Sequence, residues 1–226
     1  MTTNRSPTSI QQRTKGLRAR LADETRVLHE ALHHHPRLLP LASGRITEMG
    51  LATLITDYWT FYATIEAQRA KFGWCAPVDL VAPTRALASD RTAMRECFSV
   101  SPPPVHLHTL PTSGARCLGA LYVMLGAQFG GRVLGQELAK ALPDVRSTYF
   151  APCQDSLGAW RLLLSRLEDI APLSAEANAV VHGALTTFRG LAGLLDQRSV
   201  PTVDRFSDQA LDRQQVPALA AAVSLG

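Results

Sequence analysis

The segment LGALYVMLGAQFGGRVL, residues 118–134, decides how the chain is read. It lies in a proline-free run from Ser113 to Leu142 whose apolar residues recur at helical rather than strand spacing. Gly126, Gly130, Gly131 and Gly135 fall inside that run. Each glycine in a helix interior costs about 1 kcal/mol relative to alanine, so together they cost roughly 3–4 kcal/mol and something must offset them. On a helix Gly126 and Gly130 share a face, as do Ala127, Gly131 and Gly135. The result is a strip without side-chain bulk, and the Gly130-Gly131 pair marks a site for a kink.

Three readings compete for the strip. Close helix–helix packing is the plainest. A membrane-embedded GxxxG dimer fits the pattern from Gly126 to Gly130. However, the uncharged run from Cys117 to Gly131 is shorter than the ~20 residues a span requires, and Arg116 and Arg132 bracket it. The third reading is a helix laid across a planar cofactor.

The 226 residues, 46% of them hydrophobic, suffice for one well-buried core and suggest a single domain. The polar start MTTNRSPTSIQQRTKG lacks the apolar centre of a signal peptide, so a cytoplasmic protein with no membrane span is expected. Cys75, Cys97, Cys117 and Cys153 have no CxxC spacing, and reduced thiols are the default. The net charge of +4 is scattered along the chain and aromatics make up only 6%, which argues against a nucleic-acid groove.

Residues 1–16 read as a disordered lead-in, 17–197 as a helical domain and 198–226 as a loosely held tail. A first helix is expected from Leu17 to about His34, stopped by Pro36, with Leu17, Leu21, Leu28 and Leu32 as its stripe. After the loop PRLLPLASGRI, Thr47 caps a long helix to about Lys71. Further helices are expected over 84–98, 113–142, 154–170 and 174–197. No stretch alternates as a strand, so the expected class is all-α, with roughly six or seven helices.

His29, beside the first apolar stripe, is the sharpest candidate metal ligand. His33-His34-His35 invites a metal cluster, but consecutive helical positions point roughly 100° apart and do not converge. Glu30 and His33 form one ExxH, half of what a carboxylate-bridged di-iron bundle needs, and no second ExxH follows. Nucleophile elbows, phosphate loops and dinucleotide fingerprints are absent from the sequence.

The combination of TRVLHEAL in the first helix with GALYVMLGAQFGGRVL in a later one resembles the heme oxygenase family. It looks most like the bacterial branch linked to phytochrome chromophore supply. Supporting similarities are YWTFYATIE, the Tyr149-Phe150 loop leading to Trp160, and ALTTFRGLAGLL. The resemblance implies a single-domain multihelical bundle in which His29, of the pair Thr25 and His29, is the proximal ligand of heme b iron. It makes Gly126-Ala127-Gln128-Phe129-Gly130-Gly131 the distal helix, with Gly126, Gly130, Gly131 and Arg132 at the catalytic face. Thr25, Arg26, Ala127, Gln128, Phe129, Arg161 and Phe188 would then contact the cofactor. The implied reaction opens heme with O2 to biliverdin, CO and iron, so heme is both cofactor and substrate. Electrons would come from a ferredoxin or flavin-dependent reductase, and a phytochrome is the implied bilin acceptor.

Two positions depart from the family pattern. Ala127 stands where the family carries a serine or acidic residue, leaving oxygen chemistry to backbone carbonyls, Gln128 or Arg132. Ala22 stands seven residues before the histidine, where many members carry a basic residue for a heme propionate. Arg18, Arg26 or Arg161 would have to replace it. Alternative expectations are a non-catalytic heme-binding protein of the same fold, and a non-heme iron relative using Glu30 and His33.

Overall fold

The computed structural model describes residues 16–106, 109–151 and 154–198. These contain α1 (Leu17–His33), α2 (Leu39–Ala42), α3 (Glu48–Lys71), α4 (Val81–Arg95), α5 (Gly114–Ala141), α6 (Gln154–Glu168) and α7 (Ala175–Asp196), with no strand among the described residues. The lead-in, apart from Gly16, and the tail beyond Arg198 lie outside them.

Local chemistry sets the starts of the long helices. Thr47 accepts the Gly50 amide at 3.1 Å, Ser113 the Arg116 amide at 3.3 Å and Ser174 the Ala177 amide at 3.0 Å. Each satisfies a donor that the helix itself leaves unpaired, which stabilises by about 1 kcal/mol. Two elements depart from expectation. The segment read as the loop PRLLPLASGRI contains α2, with Pro40 in its first turn. Similarly, α4 begins at Val81, ahead of Pro83. Proline in a first turn removes an amide that has no partner there anyway, so it starts a helix as readily as it ends one.

The centre of the molecule is the crossing of α5 and α7. A Cβ on Gly119 would overlap the Val180 carbonyl, and one on Gly183 would overlap the Arg116 carbonyl. Glycine at both positions lets the two backbones touch, and Leu118, Leu121, Val180 and Ala184 close the core around them. Helix α1 packs on α6 and α7, and α5 packs on the same two helices, while α4 lies against α3. Shared neighbours thus bring the His29 helix and the glycine-rich helix into one half of the fold. Helix α5 bends by 48° between its arms Gly114–Gly131 and Val133–Ala141, beside the paired glycines. Among the described residues no single helix is long and apolar enough to cross a membrane. The two arms of α5 pass that test only jointly, across the bend.

Candidate functional site

His29 is half-buried on α1, one turn after Thr25. Its ring meets the buried Phe188 of α7 edge-on, with centroids 6.0 Å apart and planes at 89°. On its other side His33 approaches to 4.3 Å between centroids, and the two Nε2 atoms are 3.3 Å apart. Burial holds His29 below the ordinary histidine pKa, and burial together with the neighbouring imidazoles pushes His33 down to about 4. At neutral pH both rings are therefore uncharged, the form that ligates metals.

The remaining residues expected on α1 have protein partners of their own. Thr25 is buried, but its hydroxyl donates to the Leu21 carbonyl at 2.7 Å, which fixes it to its own helix. Arg26 is exposed and lies 3.6 Å from exposed Glu30, whose charge also acts on His29 and His33. Arg18 lies three turns before His29 on the same face and exerts its charge on Tyr122 of α5. Its charge thus reaches α5 from α1. Arg161 is exposed on α6.

Along α5 the glycines divide their roles. A Cβ on Gly126 would rest 3.7 Å from the Trp160 ring, and one on Gly131 3.8 Å from Phe150. At Gly135 a Cβ would come within 2.5 Å of the Phe150 carbonyl oxygen, so this glycine serves backbone contact with the following loop. Gly130 alone of the four has nothing within 4 Å of that position. Close packing therefore requires glycine at Gly135, whereas a Cβ at Gly126 or Gly131 would make ordinary contact and one at Gly130 would stand in open space. Phe129 packs on Trp160 at 5.3 Å, Ala127 is exposed, and Arg132 lies at the bend in the backbone.

Behind this surface lies a buried tyrosine network that joins α3 to the loop after α5. The Tyr62 hydroxyl donates to the Met124 carbonyl at 2.7 Å and lies 2.8 Å from the Tyr149 hydroxyl. Burial lifts Tyr62 to about 12 and Tyr149 well above its ordinary value, so both stay protonated. The Gln128 carboxamide lies close enough to both hydroxyls to oppose that rise, yet its buried Nε2 makes no hydrogen bond. Trp160 Nε1 is likewise buried without a partner. Buried Asp90 of α4 anchors the loop that carries Tyr149 and Phe150, accepting from the Ser147 hydroxyl at 2.5 Å and the amides of Thr148 and Tyr149 at 2.7 and 3.0 Å.

The histidine run diverges as helical geometry requires. His33 turns to His29, His34 Nδ1 to the Glu30 carbonyl at 2.9 Å, and His35 to Asp196 at 3.0 Å. Among the described residues no group of three or more His, Cys, Asp or Glu side chains could hold a metal. Cys75 and Cys117, distant in sequence, are brought together as free thiols, with Cys75 Sγ donating to the Gly114 carbonyl at 3.3 Å. Cys153 lies outside the described residues.

Comparison by sequence matches the chain to no family model and to no curated protein. Comparison by structure finds chains of similar fold. A heme oxygenase from Leptospira interrogans superposes with a TM-score of 0.66 at 16% identity, covering 81% of this chain and 100% of that one. Heme oxygenase-1 from the cyanobacterium Synechocystis, in complex with heme, gives 0.61 at 16% identity, covering 81% of this chain and 92% of that one. The chain thus has the all-α fold of the heme oxygenases.

Proposed function

We propose that this protein is a heme oxygenase that binds heme b through His29 and opens it to biliverdin, CO and iron. The observation that carries the reading is the half-exposed, uncharged His29 on the first helix of a fold whose solved relatives include a heme complex. Three further features suit a flat iron-bearing ring. A Cβ at Gly130 would meet nothing within 4 Å, and Gln128 Nε2 and Trp160 Nε1 are buried donors without a protein acceptor. Arg18, on the His29 face of α1, supplies a cation of the kind a propionate requires.

Heme, when bound, supplies both the iron that activates O2 and the ring that is opened, with electrons from a separate donor such as a ferredoxin or flavin-dependent reductase. The chain's own work is positional. Phe188 limits rotation of the His29 ring by edge-on packing. Gly130 leaves backbone rather than a side chain facing the open space. The Tyr62–Tyr149 pair and Gln128 hold hydroxyl and amide groups behind α5, where ordered water can link them to the ring. Trp160 and Phe129, packed together beside Gly126, would give that side of the site an apolar surface.

Ala127 supports a second reading, a heme-binding protein without turnover, because it is exposed and offers no polar side chain at the distal position. One assay separates the two. The hemin-loaded chain is supplied with ascorbate or a reductase in air and followed spectroscopically. Conversion of the Soret complex to biliverdin supports the oxygenase. A complex that persists unchanged supports the second reading, and Ala127→Ser should then raise turnover.

A further inference from the structure

We propose that His29 and His33 form a two-imidazole site for a zinc-type divalent cation, and that occupancy of this site excludes heme from His29. The second half of this statement rests on the function proposed above, and the first does not.

The argument begins with the separation of the Nε2 atoms, 3.3 Å. Zinc–imidazole bonds of about 2.0–2.1 Å at a tetrahedral angle place two ligand nitrogens roughly 3.3–3.4 Å apart, so the nitrogens already stand at the required separation. The rings, with centroids 4.3 Å apart, have to swing outward to aim both lone pairs at one ion. The residues are four apart on a helix and therefore project from one face, where their rotamers bring the two rings together. Phe188 packs edge-on against His29 and His33 stands at 81° to it, so the first ring is held from both sides. Imidazole selects zinc, copper or nickel over magnesium and calcium, which prefer oxygen donors.

The neighbouring histidines do not complete the site, since His34 is bonded to the Glu30 carbonyl and His35 to Asp196. Glu30 pairs with Arg26 at 3.6 Å and acts on the two rings through its charge, without making a three-residue group with them. With no third protein ligand among the described residues, water fills the remaining positions, and the ion should bind reversibly. Because His29 Nε2 is one of the two ligands, the ion and a tetrapyrrole iron compete for the same lone pair.

The test uses the full-length apo chain and zinc chloride alone, followed by displacement from a chromogenic chelator. One Zn2+ per chain is expected. His33→Gln and His29→Gln should each weaken it at least tenfold, while the double variant His34→Gln/His35→Gln should stay within twofold of wild type. Circular dichroism checks that each variant keeps its helices. Absence of saturable zinc, or equal zinc binding by His33→Gln, would overturn the site. Hemin is then titrated with and without saturating zinc. A tenfold weaker apparent hemin affinity in wild type, abolished in His33→Gln, is expected, and equal hemin binding with zinc in place would overturn the competition. Failure of hemin to bind under any condition would count against the proposed function, while the zinc titration would still decide the metal site.

Discussion

Gly119 of α5 and Val180 of α7 meet backbone to backbone, with the Val180 carbonyl filling the place where a Cβ on Gly119 would stand. Gly183 and Arg116 repeat the relationship one turn away in the opposite sense. The crossing that organises the bundle therefore depends on two missing side chains. Gly119→Ala or Gly183→Ala must force the helices apart, and overpacking of this kind costs about 1–3 kcal/mol or more. A lowered midpoint in urea for both variants is expected, and unchanged midpoints would show that the crossing is looser than described.

Gly130→Ala should behave in the opposite way. Nothing lies within 4 Å of the added Cβ, so the substitution gains helix propensity of up to ~1 kcal/mol in the apo protein. The methyl would nevertheless occupy the space assigned to the ring. A higher melting temperature combined with weaker hemin binding is the expected signature, and hemin affinity equal to wild type would remove Gly130 from the site.

Asp57, fully buried on α3, is held by Arg37 at 3.1 Å and Arg198 at 2.7 Å, and Arg198 also donates to the Ser101 carbonyl. Asp57 thus ties the segment after α1 and the end of α7 to one helix. Asp57→Ala leaves a buried guanidinium unpaired, which costs about 3–5 kcal/mol. The variant should lose much of its thermal stability, and a loss below about 1 kcal/mol would mean that the pair is solvated.

The paired imidazoles predict a pH dependence of the apo protein. The unfolded chain takes up protons on these histidines below about 6.5, whereas His33 in the folded chain resists protonation until about 4. The contribution is therefore complete above about pH 6.5 and diminishes as pH falls toward 4. Melting temperatures at about pH 5 and pH 7 should differ more in wild type than in His33→Gln. Identical differences would contradict the lowered pKa.

Much of the fold was legible because its signals are local. Thr47, Ser113 and Ser174 announced three helix starts, and the stripe of Leu17 and Leu21 announced the first helix. Pro40 and Pro83 misled because a proline that opens a helix and one that breaks it look alike without tertiary context. The glycine strip was legible as a place of close approach, but not its division. Phe150 reaches Gly131 and Gly135 only because Asp90, far away in the chain, holds the loop. His33 could have been found from its spacing of four residues from His29. The adjacent histidines instead drew attention to consecutive positions, which cannot converge. Asp57 carries no sequence pattern that names Arg37 or Arg198 as its partners.

Titration of the purified chain with hemin, comparing the Soret band of wild type with that of His29→Ala, bears most directly on the assignment of His29 as the iron ligand. A one-to-one complex whose Soret maximum shifts or disappears in the variant is predicted. A spectrum and affinity that the substitution leaves unchanged would contradict it.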